Sequence, residues 1–350
     1  MTAGSQPGVG RLVAVVVTHN RLAKLKPTLA RLLAVDPAHL QAVVVVDNAC
    51  SDGTDKWLDT QRDPRLTAIA SAENIGGAGG FERGLRHAMQ HLDPDWLVVM
   101  DDDACPAPDT LARFHNSPRS PDTAYAAAVY FPDGRICEMN RPSCNPFWSP
   151  ALFLRTLTRG RDGYHIPHSA YDVEVPCPID LTSFVGLFLS RQIVEDSGYP
   201  DPGLFLYGDD VIYTLTLRRR GWNILFDPAL RFEHDFSTFE AQGPQTIRPL
   251  WKVYYFCRNR LLMYRAAAPV LFWLLLPLLG LKWHLAGGRY GADKPLYLRL
   301  LRRALRDAAA RNTELSHGEV LALAGGSVSG SECPDGSGPA GSDPSAESTG

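Results

Sequence analysis

The chain has 350 residues, 45% hydrophobic and 21% charged, a composition ordinary for a globular protein and long enough for one large α/β domain plus a smaller appendage. Its net charge of −3 is unevenly spread: residues 241–312 carry 13 Lys/Arg against Asp293 and Asp307, which makes that stretch +11 and the remainder −14. The asymmetry points to an anionic membrane surface as a partner and, beside the apolar segment described below, argues against nucleic acid.

Residues 1–10 are small and polar and read as disordered. A β-branched run at 12–17 (LVAVVV) has the pattern of a strand buried on both faces, and a helix is expected over 22–33, with Pro27 near its first turn. A second buried strand at 42–46 ends in the polar turn DNACSDG, and a second helix starts near Thr54. Residues 66–70 form a third strand. The segment 74–84 (NIGGAGGFERG) reads as a glycine-rich loop that leads into a helix over 84–91. A fourth buried strand at 96–100 (WLVVM) runs straight into Asp101-Asp102-Asp103. This alternation predicts a doubly wound α/β sheet.

The middle, 125–178, is rich in Pro, Asn and aromatics and reads as an irregular connection of the kind that carries substrate contacts. Further on, a strand is expected at 182–190, a helix at 209–220 and a short strand at 222–226. Residues 266–281 (AAAPVLFWLLLPLLGL) are 16 uncharged, mostly apolar residues flanked by Arg258, Arg260, Arg265, Lys282 and Arg289. A spanning helix needs about 20 residues, so the segment reads either as an in-plane or re-entrant membrane anchor or as a buried helix. A basic amphipathic helix follows at 298–310, and the Gly/Ser/Pro-rich end from 325 onward reads as a disordered tail. Seven cysteines without a CxxC pair suggest no zinc ribbon and no disulfide framework, and fit reduced, cytosolic thiols. No secretory signal is expected from the polar N-terminus.

The chemistry concentrates at strand ends. In an open α/β sheet the ligand crevice lies beyond the carboxyl ends of the strands. Three adjacent carboxylates there repel one another unless a cation compensates them, and a hard divalent ion both accepts carboxylate oxygens and bridges to phosphates. In an extended stretch Asp101 and Asp103 point the same way and could share one ion, with Asp102 facing elsewhere. Asp47 ends its own strand at the same edge and could accept hydrogen bonds from a pyrimidine N–H or ribose hydroxyls, or else form an Asx-turn. Glycines at 76–80 and the helix start behind them suit a diphosphate, with Arg83 as a bidentate contact. Asp209 and Asp210 open a helix, where one could cap and the other serve as a base. His234, at the end of RFEH, is a candidate metal ligand. Phe147 and Trp148 are candidate stacking residues for an acceptor, or else core. A nucleotidyltransferase also uses strand-terminal aspartates, but lacks support here because no basic, glycine-rich signature lies near the N-terminus. A catalytically dead, carbohydrate-binding relative should have lost carboxylates that this chain retains.

Together, VVVTHNR (15–21), VVVDNACSDGT (44–54), NIGGAGGFERG (74–84), WLVVMDDD (96–103), FVGLFLSR (184–191), YGDD (207–210) and GWNILFDPALRFEH (221–234) resemble the family 2 glycosyltransferases of the GT-A fold, in family order. The glycine-rich segment followed by MDDD looks like the bacterial galactofuranosyl- and rhamnosyltransferase branch. The resemblance implies a GT-A, Rossmann-like nucleotide-sugar-binding domain over 11–240; the C-terminal region matches none of the family motifs and is read from its apolar-basic pattern as a helical, membrane-associating region at 241–324 with a tail at 325–350. It implies an inverting transfer from a UDP- or dTDP-linked sugar to a glycan or lipid-linked glycan at the cytoplasmic face of the membrane. Thr18, Asn20, Asp47, Asn74, Gly76, Gly77, Arg83, Asp101 and Asp102 would line the donor site. Asp101, Asp103 and His234 would hold Mn²⁺ or Mg²⁺, and Asp210 would be the general base. Trp148, Tyr207 and Asp209 would face the acceptor. Many relatives carry a further acidic residue near position 212, where this chain has Ile212.

Overall fold

A computed structural model describes residues 10–235 and 246–325. The segments expected to be disordered, 1–9 and 326–350 with Cys333, lie outside the described residues, as does 236–245, where the boundary near 240 was expected. Nine strands form one sheet: β1 (Leu12–Thr18), β2 (Ala42–Asp47), β3 (Leu66–Ala70), β4 (Trp96–Asp101), β5 (Ala104–Pro106), β6 (Thr123–Tyr130), β7 (Cys177–Pro178), β8 (Leu187–Ser190) and β9 (Asn223–His234). The helices are α1 (Leu22–Leu33), α2 (Thr54–Thr60), α3 (Gly76–His91), α4 (Thr110–Asn116), α5 (Pro150–Arg159), α6 (Arg191–Ser197), α7 (Asp209–Arg219), α8 (Lys252–Ala267), α9 (Pro269–Ala286), α10 (Lys294–Ala310) and α11 (His317–Leu323).

The strand order is β3-β2-β1-β4-β8-β6-β9-β5, with β7 on β9. β3, β2, β1 and β4 run parallel, and β8 lies antiparallel between β4 and β6. The β-branched runs are buried because each strand alternates between two cores. Val13, Val15 and Val17 pack on one face with Phe81 and Leu85 of α3, while Leu12, Ala14 and Val16 pack on the other with Leu25 and Leu29 of α1. The parallel register sets Thr18 opposite Asp47, Asp47 opposite Ala70 and Val17 opposite Asp101, so the polar ends of these strands share one edge.

Three expectations need correction. The glycine-rich segment is not a loop: α3 begins at Gly76, because Gly80 and Gly84 let the helix axis approach Val17 and Val15 of β1, where a Cβ would collide. The 125–178 connection is less irregular than its composition suggests, since its start belongs to β6, a strand of small alanines, and 150–159 is helical, with Ser149 capping and Pro150 in the first turn. The short strand at 222–226 is the beginning of the 12-residue β9, which continues through Pro228 to His234 across a register shift beside β6.

A third core, built around Tyr254, Tyr255, Tyr297, Leu300 and Val320, packs α8, α10 and α11 together and reaches Phe205 in the loop ahead of α7. Along α9 the outward side chains remain open, with Val270 87%, Trp273 59% and Leu278 55% exposed, so the described residues do not bury this helix. Within Pro269–Ala310 one window is long and apolar enough to cross a membrane by length and composition, and only 17% of it is buried.

Candidate functional site

Asp101 ends β4, and the chain turns through Asp102 and Asp103 into β5. β5 pairs antiparallel with the end of β9, which sets Ala104 opposite His234. One ligand atom from each of Asp101, Asp103 and His234 therefore lies within 4.8 Å of the others. His234 Nε2 is 3.1 Å from Asp103 Oδ1, and its Nδ1 is 2.8 Å from Asn140 Oδ1. The amide carbonyl oxygen only accepts, so Asn140 fixes the proton on Nδ1 and turns Nε2 toward the carboxylates.

Electrostatics here is crowded. Burial first, then the charge of Asp103, pushes the Asp101 carboxyl up to about 6. Burial opposes the charged form of Asp103 too, but the hydrogen bond and charge of His234, with Arg21 beside them, outweigh it and hold the carboxyl below its ordinary value. For His234 burial disfavours the imidazolium, yet the hydrogen bond and charge of Asp103 prevail and raise it to about 10. The protonated ring and Arg21 thus supply the positive charge that these carboxylates require. Asp103 Oδ2 lies 2.8 Å from Arg21 Nη2, but it is buried and accepts no hydrogen bond. Two carboxylates and one imidazole whose Nε2 faces them would fit a divalent cation such as Mn²⁺, which would take the place of the Nε2 proton.

Asp102 points away from this cluster. Its oxygens accept from Thr18 Oγ1 at 2.8 Å and Arg21 Nη1 at 3.1 Å, and its backbone carbonyl accepts from Thr28 Oγ1. Its carboxylate thus ties the β4 end to Thr18 of β1 and to Arg21 just ahead of α1. Burial pushes its carboxyl up to about 7 despite Arg21.

Along the edge toward β3, Asp47 accepts the Cys50 amide at 2.8 Å in an Asx-turn through Oδ1. Asn20, in the left-handed region at φ 53°, accepts the Ser51 amide at 2.6 Å, so its carbonyl oxygen holds the loop after β2. Asn48 grips the start of α3, donating to the Gly76 carbonyl at 3.0 Å and accepting the Ile75 amide at 2.9 Å, while Asn74 bridges to His19. Gly76 sits at φ 71°, where a Cβ would lie 2.1 Å from the Phe205 carbonyl oxygen, and that carbonyl accepts the Ala78 amide. Close approach of the 205 backbone, rather than of a phosphate, is what requires this glycine. Gly77 meets open space. Arg83 is exposed and donates to Ser71 Oγ at the end of β3 at 3.1 Å, so Arg21, not Arg83, reaches the acidic cluster.

Asp209 and Asp210 open α7 after a strained loop in which Phe205 and Tyr207 have φ of 64° and 71°. Two fully buried residues of α8 hold that loop. Arg258 donates to the Gly203 and Leu204 carbonyls, and Asn259 to those of Leu204 and Leu206. Burial pushes Asp209 well above the carboxylate range, with Asp210's charge adding to it. Burial also pushes Asp210 up to about 6, and Asp101's charge adds to that, which places the α7 start beside the β4 end. Tyr207 is 40% exposed, against Phe256 of α8. Trp148, 42% exposed, closes a short turn before α5.

Arg21, Asn48, Asn140 and Asn259 are absent from the expected site residues, and Arg258, expected as a basic flank of the apolar segment, is instead fully buried. Arg21 ends the THNR motif and was within reach of a reading by position. Asn140 sits in a turn with no local pattern, and the α8 pair acts through backbone carbonyls, which no motif records.

Residues 8–249 match the family described as Glycosyltransferase like family 2. Galactofuranosyltransferase GlfT1 of Mycolicibacterium smegmatis is 31% identical over 59% of this chain and 65% of its own length. Galactofuranosyltransferase GlfT2 of the same organism is 26% identical over 73% of this chain and 41% of its own. Undecaprenyl-phosphate mannosyltransferase of Micrococcus luteus is 27% identical over 67% of this chain and 88% of its own. The chain thus spans less than two thirds of either galactofuranosyltransferase it matches. With the family match over most of the chain, and a parallel block whose carboxyl edge gathers the acidic cluster, the protein belongs to the family 2-like glycosyltransferases and has their GT-A architecture.

Proposed function

We propose that the chain transfers a sugar, galactofuranose in preference to rhamnose, with inversion, from a UDP- or dTDP-linked donor to a glycan or lipid-linked glycan. The observation that carries this reading is the convergence of Asp101, Asp103 and His234 within 4.8 Å beside Asp210. The names of the two galactofuranosyltransferase relatives support the choice of sugar. A divalent ion held by the three ligands would supply Lewis-acid stabilisation of the departing nucleoside diphosphate. The imidazole favours Mn²⁺ over Mg²⁺, which prefers an all-oxygen shell.

Asp210 accepts the proton of the acceptor hydroxyl. A carboxyl raised to about 6 is still ionised at neutral pH and is a stronger base than an ordinary one. Asp209, beside Asp210 at the start of α7, would face the acceptor, with Tyr207 and Trp148 offering aromatic faces. Asp47, with one oxygen left by its turn, and Thr18, Asn74, Gly77 and Arg83 line the donor side. The open apolar face of α9 and the basic excess of 241–312 support a peripheral place on the cytoplasmic face of a membrane.

Donor hydrolysis across UDP-galactofuranose, dTDP-rhamnose, UDP-glucose and UDP-N-acetylglucosamine, each with Mn²⁺ and with EDTA, tests the reading. Metal-dependent turnover of UDP-galactofuranose above the others is expected. Equal turnover in EDTA overturns the metal assignment, and turnover of none of the four overturns the donor assignment.

A further inference from the structure

The sequence offered 266–281 either as a membrane anchor or as a buried helix, within a membrane-associating region at 241–324, and a further element outside that region has an exposed apolar face. Helix α5 buries none of its residues. Leu154 and Leu157 are 63% and 67% exposed, and Phe153 beside them is 36% exposed. A ten-residue helix is marginal in water by itself, since its nucleation cost is repaid mainly by packing an apolar face. Here that face is turned outward, so the partner that would stabilise it lies outside the described residues.

Two contacts pin the start of α5 to the corner between α8 and α9. Asn145 Nδ2 donates to the Ala267 carbonyl at 3.0 Å, and the Phe147 ring meets that of Tyr264 edge-on at 6.3 Å. The start of α5 therefore sits at the corner where α9 begins, and along α9 Leu274 and Leu278 are 59% and 55% exposed. Single exposed apolar residues need no explanation, whereas two adjacent helices that expose them in rows mark an interaction surface.

Charge identifies the occupant. In 150–163 Arg155, Arg159 and Arg161 stand against one acidic residue, Asp162. Helix α9 contains Lys282 and no acid, and α10, packed against it through Leu305, presents Arg299, Arg302 and Arg306 around a basic cavity of about 660 Å³. An apolar face edged by cations complements an anionic lipid bilayer, with acyl chains taking the leucines and phosphates taking the arginines. The arginines of α10 also exclude insertion of the α9–α10 pair across the hydrocarbon, so the helices lie in the plane of the interface.

We propose that α5 and α9 together form one in-plane docking surface for an anionic phospholipid bilayer, with α5 as a second, independent contact. The surface adjoins the acceptor side of the site: on α8, Phe256 meets Tyr207, and Met263 occupies the space beside Gly208, immediately before Asp209 and Asp210. Docking on both helices brings the acceptor side to the level of the lipid headgroups, which suits an acceptor whose glycan is anchored in the same bilayer. The inference rests on the membrane part of the function proposed above.

The test is flotation of the full chain with vesicles of phosphatidylcholine alone, or of phosphatidylcholine with phosphatidylglycerol. Three proteins are compared: wild type, Leu154→Glu/Leu157→Glu in α5, and Leu274→Glu/Leu278→Glu in α9. All four positions are exposed, and circular dichroism melting checks that the fold is kept. Wild type should float with the anionic vesicles and hardly at all with the neutral ones, and each double variant should lose about tenfold or more of the bound fraction. If the α9 variant detaches while the α5 variant floats like wild type, the membrane reading stands and this inference falls. A wild type that stays in solution and forms a concentration-dependent dimer that the α5 variant breaks would show that a second copy covers the face, and would overturn it. Donor hydrolysis is measured in the same samples, so loss of the transferase reading and loss of the docking surface give different results.

Discussion

At the residue scale, the site separates carboxylates by what each is bonded to. Asp102 is bonded to Thr18 and Arg21, Asp103 keeps one oxygen without a hydrogen bond, and Asp210 is left at the start of α7 with its carboxyl raised to about 6. Replacing Asp210 with Asn should lower kcat by about 10²–10⁴-fold with donor binding retained. In the wild type, the raised carboxyl must be ionised to act, so kcat should be full above its value and fall as the pH drops through about 6. A pH–rate profile checks this, and a profile flat from 5 to 8 would dissociate Asp210 from the base role. Asn140 is a positioning residue through its bond to His234 Nδ1. Asn140→Ala should raise the Mn²⁺ concentration for half-maximal turnover by about 10–100-fold. The carboxylates were legible because acidic runs are unusual at strand ends, whereas His234 was picked out only through the family resemblance. Asn140 was not, because an asparagine that aims a histidine 94 positions away leaves no periodic or local trace.

At the element scale, the strands were readable because runs such as LVAVVV and WLVVM fit only a sheet covered on both faces. The glycine-rich segment was misread because glycine signals both a loop and close helix packing, and only the tertiary contacts of Gly76, Gly80 and Gly84 distinguish them. Helix α11 shows how the C-terminal layer is tied to the site. His317 stacks on Phe205 with ring centroids 4.1 Å apart, and burial pushes its imidazole down to about 4. The folded state refuses a proton that the unfolded chain takes up near the ordinary histidine value of about 6.5. This contribution to stability is therefore present above that value and is lost as the pH falls from about 6.5 toward 4. His317→Phe keeps the stack without the titration, so its melting temperature should fall less than that of wild type across this window, as followed by circular dichroism.

At the scale of the whole molecule, the fold class was legible from the order of motifs, whereas the long reach of β9 was not, since Pro228 in its middle looks like a strand break. That strand brings His234 to Asp103 across 131 positions of sequence. The proposed ligand set exists only in the folded chain, so Mn²⁺ should raise the melting temperature of the wild type, and His234→Ala should abolish most of that rise. The same reach has a consequence for biogenesis. During synthesis Asp101 and Asp103 leave the ribosome long before their histidine, and the first four parallel strands can pair while the acidic turn still lacks its imidazole. A chain cut anywhere between the acidic run and residue 234 could complete the first four strands and still bind no ion through this triad. On the proposed metal assignment, metal capture would therefore wait for completion of the sheet.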